Sequence, residues 1–181
     1  MRRRDGSSQG PDDGSPDQRD ASGSGKKPRA PRSAFDKALG LLARREHSQR
    51  ELRQKLGRGG FARDETSAAV ERLEDLGYQD DSRYAEVLVR SRISQGYGPA
   101  RIRAELKSQG IGDAAIRQLL EAADVDWRDL ASSQLRRRYG GPSVDPAERA
   151  RRAQFLLRRG FAAATVRSLT HADVDDAADD D

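Results

Sequence analysis

The chain has 181 residues, of which 34% are hydrophobic, 5% aromatic and 35% charged, with a net charge of +4. A typical soluble domain is roughly 45–50% apolar and about 25% charged, so a thick, sheet-centred core is not expected and thin helical layers remain open. Cysteine is absent and only His47 and His171 represent histidine, which removes disulfides, thiolate zinc sites, iron–sulfur clusters, cysteine nucleophiles and histidine-rich metal sites.

Residues 1–33 hold eight Lys/Arg and five Asp, are rich in Gly, Ser and Pro, and contain no Leu, Ile, Val, Phe, Tyr or Trp. Such a segment buries too little to offset its ordering entropy and is read as a disordered arm. No apolar segment follows Met1-Arg2-Arg3-Arg4, and no run nears the roughly 18 residues of a membrane span, so a soluble cytoplasmic protein is expected.

From Ser33 onward the spacing predicts helices. Phe35, Ala38, Leu39 and Leu42 recur at helical intervals, with His47 expected to end that helix. Ser48-Gln49-Arg50-Glu51 reads as a capping box opening a second helix. Asp64 is expected to cap a third, burying Ala69, Val70, Leu73 and Leu76 and closed by Gly77. The series restarts with Tyr84, Val87, Leu88 and Ser91, then Gly98-Pro99, with proline at a first helical position, then Asp113 before Ile116, Leu119 and Leu120. It restarts again with Trp127, read as an anchor between units, and Leu130, Gln134, Leu135 and Tyr139. Asp145-Pro146-Ala147-Glu148 supplies a cap, a proline and a third-position Glu, and a last helix from about Ala163 buries Val166 and Leu169.

A shared punctuation organises these segments. Leu56-x-x-x-Gly60-Phe61, Leu106-x-x-x-Gly110-Ile111 and Leu156-x-x-x-Gly160-Phe161 lie 50 residues apart. Each fits a Schellman helix stop, in which Gly takes the left-handed conformation and the apolar residue after it touches the residue four before it. The expectation is an all-α chain of three tandem three-helix repeats, at 34–78, 79–125 and 126–169, forming an elongated, curved array in which neighbours stack to complete their burial. No stretch shows sustained alternation of period two.

Charge is uneven along this array. Residues 34–78 carry nine basic against eight acidic groups, 79–125 seven against seven, and 126–169 ten against four. The excess in the third repeat comes from Arg136, Arg137, Arg138, Arg149, Arg151, Arg152, Arg158 and Arg159, which wrap much of a helix and its neighbour. Guanidinium forks at this density suit phosphates or acidic protein side chains; the plainer alternative is a solvated surface. The aromatic residues nearby, Tyr139, Phe155 and Phe161, are assigned to the core, so a base-stacking platform is weakly supported. Residues 170–181 hold six Asp and no Lys or Arg, and lack the Gly and distal Glu of an EF-hand, so a solvated acidic tail is expected.

Catalysis finds no footing. There is no phosphate-binding Gly-x-x-x-x-Gly-Lys motif, no Gly-x-Ser-x-Gly elbow and no His-Glu-x-x-His. The acid pairs Glu74-Asp75 and Asp80-Asp81 sit at helix boundaries, where capping and the macrodipole favour them. No catalytic residue, metal or cofactor is assigned.

Ala38-Leu39-Gly40-Leu41-Leu42-Ala43-Arg44-Arg45-Glu46-His47-Ser48-Gln49-Arg50-Glu51-Leu52 resembles the opening of the RecX family, regulators of the RecA recombinase. Leu73-Glu74-Asp75-Leu76-Gly77-Tyr78-Gln79-Asp80-Asp81 resembles that family's link between its first two units, and Gly96-Tyr97-Gly98-Pro99-Ala100-Arg101-Ile102-Arg103-Ala104-Glu105-Leu106 is similar to its second-unit core. The resemblance implies a non-enzymatic protein, here expected as a monomer, that binds RecA and its filaments on single-stranded DNA. It implies lowered ATPase, strand-exchange and coprotease activities in recombination and the SOS response, and, for some members, direct DNA binding. The third repeat departs most, with Arg152 where Leu52 and Ile102 stand. A helix-turn-helix DNA-binding regulator is the alternative of a different class, and a plain helical scaffold a third.

Overall fold

The computed structural model describes residues 33–141 and 143–171; the arm before Ser33 and the acidic tail after His171 lie outside them. Among the described residues there are nine α-helices and no strands: α1 (Ala34–Leu42), α2 (Gln49–Arg58), α3 (Arg63–Asp75), α4 (Asp81–Ser94), α5 (Pro99–Ser108), α6 (Asp113–Ala122), α7 (Trp127–Tyr139), α8 (Pro146–Arg158) and α9 (Ala163–Thr170). They fall into three successive three-helix domains.

The helix stops form as their spacing predicts. The Phe61, Ile111 and Phe161 amides donate to the Leu56, Leu106 and Leu156 carbonyls at 3.3, 3.1 and 3.2 Å. Gly60, Gly110 and Gly160 have φ of 87°, 92° and 87°, the left-handed region that glycine enters without a Cβ penalty. Leu56, Leu106 and Leu156 are each fully buried by the turn they anchor.

Several boundaries differ from expectation. α1 stops at Leu42, and His47 lies in the following loop. Ser48 must be extended to cap α2, so the first helix cannot run up to it, and the His47 ring turns inward, its Nδ1 2.9 Å from Glu51 Oε2. Only half of the capping box forms: the Ser48 hydroxyl accepts from the Glu51 amide, while the Glu51 carboxylate turns to Arg45 and His47. Burial pushes the Glu51 carboxyl up, but the Arg45 and His47 contacts outweigh it and hold it below its ordinary value. Ala62 and Gly112, rather than Asp64 and Asp113, occupy the N-cap positions of α3 and α6, and both acids sit in the first turn, where the helix dipole favours them. Leu76, expected in the core, is the C-cap of α3 and is largely exposed, because the turn at Gly77 carries it off the apolar face.

Each domain has its own core. Leu52, Leu56, Val70 and Leu73 centre the first; Leu88, Ile102, Leu106 and Ile116 the second; Leu135, Phe155, Leu156, Phe161 and Val166 the third. The expectation that neighbours stack to complete their burial is met at one point, Trp127, which packs against both the second and third cores. Elsewhere the domains meet through polar helix ends. α5 has no side-chain cap. Its amides at Gly98 and Ala100 instead donate to the Arg159 and Gly160 carbonyls, at 2.8 and 3.0 Å, where α8 ends. The unpaired donors at one helix start thus satisfy the unpaired acceptors at another helix end, the positive end of one dipole meeting the negative end of the other. Between the first two domains, the Gln49 amide at the start of α2 donates to Asp81 Oδ1 at 2.9 Å and the Ser48 hydroxyl to Gln109 Oε1 at 2.8 Å.

Candidate interaction surface

The third domain carries its arginines on the last turn of α7 and along α8. α7 ends at Gly140 with φ of 82°, and a short loop leads to Asp145, whose carboxylate accepts from the Glu148 amide at 3.0 Å to open α8. With Pro146 at its first position, α8 has 13 residues, where α2 and α5 have 10. The 50-residue register therefore holds at the helix stops while α8 starts about one turn early, extending the helix that bears Arg149, Arg151 and Arg152.

The eight arginines fall into groups with different duties. Arg152, with its side chain 12% exposed, lies where Leu52 and Ile102 are fully buried. It donates to the Gly141 carbonyl, approaches Glu148 at 3.5 Å and lies over the Tyr139 ring, so it ties the α7–α8 loop to α8. Arg159 donates to the Gln95 and Gly96 carbonyls at 2.8 and 3.1 Å and so fastens the third domain to the second. Arg136 is held by the Ser132 and Ser133 hydroxyls, and Arg151 pairs with Glu148 at 3.0 Å. Arg149 is half-buried, its Nε without a hydrogen-bond partner. Arg137, Arg138 and Arg158 are exposed and have no carboxylate partner among the described residues.

Guanidinium groups and rings alternate across this face. Arg101 lies 5.9 Å from the Tyr97 ring centre, and Arg159 lies 5.4 Å from Tyr97 and 4.9 Å from Phe155. Arg138 lies 5.1 Å from Phe155 and 5.6 Å from Tyr139, and Arg152 closes the row 5.1 Å from Tyr139. The Tyr139 and Phe155 rings meet edge to face at 5.7 Å. Each such contact contributes about 0.5–1 kcal/mol at an exposed site and fixes the plane of the cation, leaving its N–H edge available. The assignment of Phe155 and Phe161 to the core agrees with their 9% and 3% exposure; Phe155 supports guanidinium groups from below and is no open stacking platform. A cleft of about 460 Å³ opens above the row, lined by Ser94, Gln95, Gln134, Arg137, Arg138 and Arg159 among others.

Sequence reasoning missed the contribution of the second domain. Arg101 and Tyr97 come from a stretch with no net charge, and only the docking of α5 on α8 brings them beside Arg159. No signal within the second domain's own sequence marked this contact, because the glycine pair that makes it shows only once the two helices are docked. A Cβ at Gly98 would stand 2.4 Å from the Gly160 carbonyl, and one at Gly160 would stand 2.4 Å from the Arg101 amide, so these glycines face each other in a contact with no room for a side chain. No group of His, Asp or Glu among the described residues could hold a metal ion, and no described helix is long and apolar enough to cross a membrane.

Comparison with known proteins matches three consecutive family models: "RecX, first three-helix domain" over residues 34–73, "RecX, second three-helix domain" over 80–120 and "RecX, third three-helix domain" over 124–169. The chain is 46% identical over 142 residues to "Regulatory protein RecX" of Xanthomonas axonopodis pv. citri (strain 306), covering 77% of this chain and 87% of that protein. It is 48% identical over 143 residues to the protein of that name from Halorhodospira halophila (strain DSM 244 / SL1), covering 78% and 89%. Among solved structures, one described as "Crystal structure of RecX from Lactobacillus salivarius" shares the fold at a TM-score of 0.59 and 24% identity, covering 76% of this chain and 92% of that one.

Proposed function

This chain belongs to the RecX family of regulatory proteins, and on that premise we propose that it binds the RecA recombinase and its filament on single-stranded DNA and slows the filament's ATPase, strand-exchange and coprotease activities. The observation that carries the reading is the row of ring-supported guanidinium groups running from Arg101 through Arg159 and Arg138 to Arg152. Cations held in fixed planes lose little further freedom on binding and meet carboxylates or phosphates two bonds at a time. From the row Arg138 is assigned to the partner, with Arg137, Arg149 and Arg158 added from outside it as exposed or unpaired groups and Arg151 and Arg136 at the rim; Arg101, Arg152 and Arg159 position the face.

The mechanism needs no chemistry by this chain. A monomer seated on the filament by this face resists the subunit movements that ATP turnover requires and acts in the cytoplasm, where the recombinase works. Opposite charge speeds capture, and that advantage fades with salt. Where DNA phosphates form part of the contact, log affinity falls linearly with log salt at a slope of about 0.9 per phosphate neutralised on a duplex and about 0.7 on a single strand.

The test is the single-stranded-DNA-dependent ATPase of RecA, measured with and without this protein at increasing salt. Inhibition at low salt that weakens as salt rises is expected. Unchanged turnover, together with tight binding to one duplex sequence, would replace this reading with the helix-turn-helix regulator.

A further inference from the structure

We propose that the aspartate-rich segment after α9 docks on the arginine face of its own chain, so that the partner must displace it. The regulatory half of this inference rests on the function proposed above; the docking half does not.

The charge of the arginine face is unmatched. The third domain, residues 126–169, has ten basic and four acidic residues, and all four acids are already engaged. Asp126 accepts from the Arg128 and Asp129 amides and Asp145 from the Glu148 amide, so both are helix caps. Asp129 faces Arg136 at 3.7 Å, and Glu148 faces Arg151 and Arg152 at 3.0 and 3.5 Å. Arg137, Arg138, Arg149, Arg158 and Arg159 therefore have no carboxylate partner among the described residues. The excess of six positive charges is matched by the six aspartates that follow: Asp173, Asp175, Asp176, Asp179, Asp180 and Asp181.

Reach is sufficient. The segment leaves from His171, at the end of the helix packed against both α7 and α8. Its ten residues span up to roughly 35 Å when extended, whereas the 13-residue α8 is only about 20 Å long. A tethered anion at this range acts at an effective concentration of about millimolar, enough to compete with an acidic partner while remaining displaceable. The contact is governed by salt, because the Debye length shortens from about 10 Å at 0.1 M to about 3 Å at 1 M.

The chain has no cysteine, so Ala178→Cys accepts a single nitroxide label. In the full chain at 50 mM salt, the label should broaden the amide resonances of Arg137, Arg138 and Arg158 at least twofold more than at 500 mM. Replacing Arg137, Arg138 and Arg158 by Gln, or separately all six aspartates by Asn, should abolish the effect while leaving the helical signal intact. Broadening that is absent, insensitive to salt, or lost only when residues 1–32 with Arg2, Arg3 and Arg4 are removed overturns the docking. In a parallel ATPase assay, the Asp→Asn chain should inhibit RecA at about fivefold lower concentration than the wild type. Equal potency overturns the regulatory role. If neither chain inhibits, the proposed function fails, and the resonance data still decide the docking by themselves.

Discussion

The two junctions between domains solve one geometric problem by different means. In both, the start of a middle helix abuts the end of the middle helix in the following domain. Between the first and second domains the bridging is done largely by side chains: Ser48 to Gln109, the Gln49 amide to Asp81, Gln79 to the His47 carbonyl and Arg83 to Glu46. Between the second and third it is largely backbone to backbone, Gly98 to Arg159 and Ala100 to Gly160. A side-chain bridge has rotatable bonds and tolerates small displacements. A backbone bridge between facing glycines has no side-chain rotors, and its close approach, with no room for a Cβ, fixes the distance between two helix ends. The guanidinium row crosses the second junction, where that fixed spacing sets Arg101 and Arg159 at 5.9 and 5.4 Å from the centre of one tyrosine ring.

The sharpest break is expected at Gly160. Its φ of +87° and a Cβ position 2.4 Å from the Arg101 amide impose two penalties on Gly160→Ala. Left-handed strain costs roughly 1–2 kcal/mol and overpacking roughly 1–3 kcal/mol. Gly60 has the same φ of +87° with nothing within 4 Å, so Gly60→Ala should carry the strain alone. Chemical denaturation of both variants should show the larger loss at Gly160; equal losses would mean that the second junction yields to a side chain after all.

Next in size is Gly98→Ala, where φ of −84° is ordinary and only crowding acts, about 1–3 kcal/mol. This variant should weaken inhibition of the recombinase as well as stability, because Arg101 separates from Arg159. Inhibition kept at wild-type potency would detach the row from function.

Ser48→Ala probes the side-chain junction. It removes the cap of α2 and the bond to Gln109, at a cost of about 1 kcal/mol, with potency unchanged because the arginine row lies at the other junction. A loss of potency comparable to that of Gly98→Ala would erase the distinction between the junctions.

The smallest effect expected is one of pH. The Glu51 carboxyl, held low by Arg45 and His47, releases its proton more readily folded than unfolded. Its contribution is therefore present above the ordinary carboxyl value of about 4.3 and is lost as pH falls through the lower folded value. Unfolding free energies of the wild type and Glu51→Gln should differ near neutrality and converge in acid; a gap that widens below pH 4 would reverse the assignment.

Much of this fold was legible because its punctuation is local. A Leu, a Gly four residues on and an apolar residue after it determine a helix stop from within seven residues of chain, and so Gly60, Gly110 and Gly160 could be read directly. The caps at Ser48, Asp80 and Asp145 are equally local. What depends on a distant partner could not be read. Gly98 reads as a plain helix start until Gly160 stands opposite it. Arg152 counts as one more surface charge until Gly141, Glu148 and Tyr139 surround it. The arginine cluster itself was visible in composition, but not its division into groups that hold the face and groups that face outward.

The most direct measurement compares inhibition of single-stranded-DNA-dependent RecA ATPase by the wild-type chain and by a chain carrying Arg137→Ala, Arg138→Ala and Arg158→Ala. The outward-facing arginines are predicted to matter most, so the variant should need at least tenfold more protein for half-inhibition at 50 mM salt, with its helical content unchanged. Half-inhibition at the wild-type concentration would contradict the assignment of this face to the recombinase.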